Sequence, residues 1–147
     1  MNRSPKVREG LDRVAQIAES EGLAFKDETT RLVIPYDMGA GRLQVVYIQC
    51  EPMDDGGIVV SFLSPCFENK PGFFTGLSKD QALSLLRRNH RMIGAAFILL
   101  TARDGEFLAV RAGQLLDTMQ LEEFRRHLST VCSAADAYER EIGQDDF

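Results

Sequence analysis

Leu43-Gln44-Val45-Val46-Tyr47-Ile48-Gln49-Cys50, then Met53-Asp54-Asp55-Gly56-Gly57, then Ile58-Val59-Val60-Ser61-Phe62-Leu63-Ser64: the reading of this stretch decides the fold. Two segments rich in β-branched and aromatic residues flank an Asp-Gly step, and that dipeptide between apolar runs favours a tight primed turn, so the stretch reads as a β-hairpin. Apolar side chains occupy both alternating faces. Leu43, Val45 and Tyr47 fall on one side and Val46, Ile48 and Cys50 on the other, while Ile58, Val60, Phe62 and, further on, Phe97-Ile98-Leu99-Leu100 behave likewise. Strands of this kind are covered on two sides, which implies a layered domain.

Upstream of the hairpin, Arg31-Leu32-Val33-Ile34-Pro35-Tyr36 favours a strand, but Pro35 cannot donate to a ladder and places this segment at an edge or a strand end. Met38-Gly39-Ala40-Gly41 supplies the turn that makes a three-stranded meander. Before it, Ser4-Pro5 is a helix start, and Val7, Leu11, Val14 and Ala18 recur on one helical face until Gly22. Downstream, Pro65 to Leu77 contains Pro, Asn and Gly as breakers and reads as a loop with a heavy aromatic load: Phe67, Phe73 and Phe74. Ser78-x-x-Gln81 is a capping box for a second helix, packed through Ala82, Leu83, Leu85 and Leu86 and ending at Asn89.

Ala95 to Thr101 and Glu106 to Arg111 are two more strands joined through Arg103-Asp104-Gly105, for five in all. The last segment, Gln120 to Ile142, places Leu121, Phe124, Leu128, Val131, Ala135, Tyr138 and Ile142 three and four apart. A helix of that length measures about 34 Å, long enough to cross a five-stranded sheet. The expected architecture is α+β, in the order α-β-β-β-α-β-β-α, with a five-stranded antiparallel sheet packed by helices. Residues 1–147 are read as a single domain. The first and third helices can cover one sheet face, but the short second helix leaves part of the other uncovered unless a second subunit completes it, so a homodimer is expected.

Composition agrees with a folded chain. The 147 residues are 44% hydrophobic and 27% charged, and a domain of this size buries roughly 68–70% of its unfolded surface. No segment reaches the roughly 20 apolar residues needed to span a bilayer, and no apolar run follows the basic start, so no membrane association and a cytoplasmic location are expected. Net charge is -5, and residues 112–147 hold 3 Arg against 8 Asp plus Glu, so the acidity lies in the C-terminal segment. Phosphate backbones would be repelled there, which argues against nucleic acid as a partner.

The order of elements, together with Leu85-Leu86-Arg87-Arg88-Asn89, Phe97-Ile98-Leu99-Leu100, Asp104-Gly105, Leu108-Ala109-Val110-Arg111 and Ala134-Ala135-Asp136-Ala137-Tyr138, resembles the type III secretion chaperone-like fold, and within it YbjN-type domains. The resemblance covers nearly the whole chain. It implies one of two roles. Members of the chaperone group are small acidic cytosolic dimers that hold a partly unfolded client on apolar patches and strand edges, whereas YbjN-type members are discussed as sensory or regulatory proteins. The family offers no catalytic residues to carry over.

The residues themselves give little chemistry. Cys50, Cys66 and Cys132 are widely separated and form no Cys-x-x-Cys pair, so they read as reduced, buried thiols. His90 lies in Arg87-Arg88-Asn89-His90-Arg91, where cations suit a helix C-terminus and also present a candidate phosphate or acidic-partner site. His127 reads as a solvated face residue. Asp54-Asp55 reads as turn chemistry rather than a metal site. No catalytic residue, cofactor or metal is expected, and the chain is read as a non-enzymatic, chaperone-like module that binds a peptide segment of a partner protein. The contact residues expected for it are Leu32, Ile34 and Tyr36 at the strand edge, Phe62 on the sheet, and Phe67, Phe73 and Phe74, which either tuck back as a lid or stand out as anchors. The alternative is a regulatory or sensory domain that binds a small ligand between sheet and helices.

Overall fold

The computed structural model describes residues 5–69, 76–103 and 105–146. Helix α1 (Pro5–Ser20) is followed by β1 (Lys26–Asp27), β2 (Leu32–Gly39), β3 (Arg42–Pro52) and β4 (Ile58–Glu68). Then come α2 (Lys79–Arg91), β5 (Ala95–Ala102), β6 (Gly105–Leu115) and the long α3 (Leu121–Asp146). The strands form one antiparallel sheet in the order β1-β2-β3-β4-β6-β5.

Local chemistry sets the boundaries. α1 ends in a Schellman motif: Leu23 N–H donates to Ala18 C=O at 3.0 Å and Gly22 N–H to Glu19 C=O at 3.0 Å, with Gly22 at φ 69. α2 opens on the expected capping box, in which Ser78 Oγ accepts from Gln81 N–H at 3.1 Å and Gln81 Oε1 accepts from Ser78 N–H at 2.8 Å. The β3–β4 turn is held by Asp55 Oδ1, which accepts from Gly57 N–H at 2.9 Å.

Three expectations are corrected. The described sheet has six strands rather than five, because Lys26 and Asp27 pair with Val33 and Leu32 at its edge. β4 runs on past Ser64, so Phe67 lies in a strand rather than a loop. The register shifts between Pro65 and Phe67, and a bulge is where a strand tolerates a proline. α2 also continues beyond Asn89 to Arg91 and is capped by Met92 N–H, which donates to Arg88 C=O and Asn89 C=O.

The helices lie on one face of the sheet. α1 sits over β3 and β4, and α3 crosses from β2 to β5. α2 lies beside α3 at the β5 edge, where Arg88 meets both Glu141 and the Tyr138 ring. Beneath α3, Phe62 and Phe124 meet edge to face at 5.7 Å, both fully buried among Ile48, Val60, Val110 and Val131. The expectation that α2 would shelter part of the second face therefore does not hold. Val45, Tyr47, Val59 and Leu115 lie there with no described helix over them, and Val45 and Leu115 are exposed.

Candidate functional site

At the β5 edge, Asn89 behaves like a residue of an additional strand. Its side-chain amide donates from Nδ2 to Phe97 C=O at 3.0 Å and accepts at Oδ1 from Phe97 N–H at 2.7 Å. A neighbouring strand would satisfy those two backbone groups in the same way. Because N–H and C=O groups alternate in direction along a strand, those of Leu99 and Thr101 also point away from β6. Among the described residues, none bonds to them. Half of the edge is thus filled by a side chain and half is open.

An apolar cleft of about 260 Å³ opens beside it, lined by Leu77, Ala82, Leu85 and Leu86 from the α2 side and by Phe97, Leu99 and Leu108 from the sheet. Leu86 is 64% exposed and Leu99 52%, large apolar side chains left in water on facing elements. The sequence dictates the cleft: Ala82, Leu85, Leu86 and Asn89 recur at helical spacing on one face of α2. The cleft is apolar inside.

A second cluster lies where the β2–β3 hairpin meets α3. The buried Gln44 donates from Nε2 to Glu139 Oε2 at 2.8 Å, and Ser64 Oγ bonds Val45 C=O at 3.0 Å and Gln44 Oε1 at 3.3 Å. Next to it, the Arg42 guanidinium holds the buried Asp136 by contacts of 3.1 and 3.3 Å. Burial raises the Glu139 carboxyl above its ordinary range, the Gln44 bond lowers it and Asp136 raises it further. Every group in the cluster has a partner, and the arrangement latches α3 to the hairpin. Nearby, burial pushes the Cys66 and Cys132 thiols up to about 12, and that of Cys50 up to about 11. Thiols so held in the protonated form are poor nucleophiles.

The expected contact residues separate. Leu32, Ile34 and Phe62 are fully buried within the domain, so their side chains are not on the surface. Tyr36 is half-buried opposite Gln44, and Phe67 is half-buried opposite Leu108, both packed against the core. Phe73 and Phe74 lie outside the described residues. His127 is not solvated as expected: its ring lies 5.1 Å from that of Phe62, Nε2 is 2.6 Å from Gln114 Oε1, and burial lowers its pKa. His90 is exposed on the last turn of α2. Among the described residues, no group of three or more His, Cys, Asp or Glu could hold a metal ion, and no helix is long and apolar enough to cross a membrane.

Sequence reasoning missed Asn89 as an edge residue and Leu99 as a cleft residue. The signal for Asn89 was its position at the foot of the Leu85-Leu86 face, just before an apolar strand. No protein-family model matches the chain, and no curated protein matches it in sequence. Among solved structures it is similar to the crystal structure of YbjN from E. coli, described as a candidate transcription regulator. The TM-score is 0.53 at 19% identity, over 88% of this chain and 93% of that one. The likeness is one of fold.

Proposed function

We propose, starting from the fold it shares with YbjN, that this chain is a non-catalytic module that binds an extended segment of a partner polypeptide at the open half of β5. The segment adds as a strand to Leu99 and Thr101 and places an apolar side chain in the cleft under Leu86. The observation that carries this reading is the Asn89–Phe97 pair, in which a side chain does what a strand would do and then leaves the rest of the edge unfilled. At the β2 edge Leu32 and Ile34 turn their side chains into the core.

The regulatory alternative, a small ligand held between sheet and helices, is less well supported. Small-molecule pockets occupy about 300–1,000 Å³ and bury most of their ligand, and this cleft falls below that range. A regulatory role exercised through a bound polypeptide fits both the cleft and the description of YbjN.

Fluorescence anisotropy with a library of labelled extended peptides carrying one apolar anchor tests the proposal. Binders are expected, with affinity lost in Leu86→Glu and Leu99→Glu. Peptide affinity unchanged in both variants, or a purified chain that retains a stoichiometric small molecule instead, would overturn it.

A further inference from the structure

A strand added to β5 meets an obstacle at Phe97. Both backbone groups that Phe97 presents to the edge are taken by the Asn89 side chain, at 2.7 and 3.0 Å, and Asn89 is itself fixed in the last turn of α2. Among the described residues, the next outward backbone groups without a bond are those of Leu99, followed by those of Thr101. Every described strand pairing is antiparallel, and antiparallel pairing is the slightly more stable kind. A newcomer therefore runs against β5, and its C-terminal direction points at Asn89.

We propose that Asn89 is a stop that fixes the register of the bound segment, and that the segment is the free C-terminal end of a partner polypeptide. Its apolar anchor stands opposite Leu99, at or next to the terminus, and its carboxylate lies at the basic last turn of α2. The proposal rests on strand addition at β5. Register is the first argument. Antiparallel residues that exchange both backbone bonds carry their side chains on the same side of the sheet, so the residue opposite Leu99 faces the cleft that Leu99 lines. Two residues later, about 7 Å further along at the strand rise, the chain would stand opposite Phe97, whose bonds are used and whose flank Asn89 fills. An internal segment would have to break from the edge within one residue of its anchor, whereas a chain end simply stops there.

Charge is the second argument. From Gln81 to Arg103 the sequence holds no acidic residue, and Arg87, Arg88, His90 and Arg91 lie within two residues of Asn89. Glu141 of α3 engages Arg88, while Arg87, His90 and Arg91 are exposed. An incoming ammonium is repelled by such a cluster and a carboxylate is attracted. Strand addition joined to capture of a terminal carboxylate is one established way for a domain to read a chain end.

Fluorescence anisotropy on the full chain tests this with N-terminally labelled six-residue peptides that alternate threonine with valine and end in leucine. Each is made with a free carboxylate, with a C-terminal amide, and with four serines following the leucine. The free form is expected to bind tightest, with the amide weaker by about fivefold, the worth of one partly exposed charge pair. The extended form, which loses both the charge and the fit at Asn89, should be weaker than the free form by at least about tenfold. His90→Gln combined with Arg91→Gln should bring the free and amidated forms to within about twofold of each other while the amide's own affinity stays unchanged, which a loss of structure would not do. Asn89→Ala, with circular dichroism confirming the native fold, reopens Phe97 and should bring the extended form to within about twofold of the amide. Amidated and extended peptides that bind wild type as tightly as the free form, and still lose affinity in Leu86→Glu, overturn the proposal and leave strand addition at β5 standing. Absence of binding by all three forms overturns both.

Discussion

Glu139 reaches from α3 to the side-chain amide of Gln44, and its burial there raises its carboxyl above the ordinary value. The sign of the consequence follows from linkage. A native pKa above the unfolded one means that the native state binds more protons between the two values. The stability associated with Glu139 is then complete below the unfolded value and is lost as pH rises through the native one. Glu139→Gln keeps an oxygen that accepts from Gln44 and removes the ionisation. The variant should melt at a higher temperature than wild type at neutral pH, with the difference vanishing below about pH 4, where the wild-type residue is protonated in both states. An equal gain at acid pH in paired melting curves would assign the effect to packing. The latch itself was partly legible in the sequence, since Gln44 shares the parity of Val46 and Ile48 and so faces the core. Its partner was not, because nothing in a helical pattern tells which strand lies beneath position 139. His127 shows the same limit. A polar residue one place before Leu128 reads as solvated, yet its ring packs on Phe62.

At the level of elements, α1 lies close to β3 and β4 because Gly10 has no side chain. A Cβ there would sit 3.2 Å from Cys50 Sγ, 3.3 Å from Leu116 Cδ2 and 3.4 Å from Ile58 Cγ2. Elsewhere a helix-interior glycine costs roughly 1 kcal/mol relative to alanine, and here that cost is outweighed by the close approach it permits. Gly10→Val should therefore lower stability by about 1–3 kcal/mol through overpacking, despite replacing a poor helix former. Urea denaturation reads the change, and an increase in the midpoint would show that α1 has room to spare. The helices and the five longer strands were legible because period and turn chemistry agree in each: Ser78 with Gln81, Asp-Gly between apolar runs, Gly22 after a periodic stretch. β1 was not, since two exposed residues, Lys26 and Asp27, carry no alternation. The side of the sheet taken by α2 was not legible either, because its Leu85 contact with the cleft and its Arg88–Glu141 pair are tertiary facts. The same gap hid the candidate site, which depends on where α2 comes to rest beside β5.

For the whole molecule, α3 is the element that makes five strands one unit. It packs against β2, β3, β4, β5 and β6 and is tied to α1 by Arg125–Glu21, to α2 by Arg88–Glu141 and to β3 by Arg42–Asp136. Arg125–Glu21 and Arg88–Glu141 are open to solvent and contribute little individually, and the apolar seam of Phe124, Leu128, Val131 and Ala135 holds the assembly. Phe124→Ala removes a fully buried ring that touches Phe62 and should cost about 3–5 kcal/mol. If unfolding is cooperative, that loss is shared by every amide that exchanges only through global opening. Native-state hydrogen exchange should then show the same decrease in protection in β3, β4 and β6, although only β4 carries Phe62. Lys26 and Asp27, joined to the sheet through two residues of β2 alone, should exchange by local opening and remain unchanged. A decrease confined to β4 would mean that the sheet opens strand by strand and that α3 does not act as its common support.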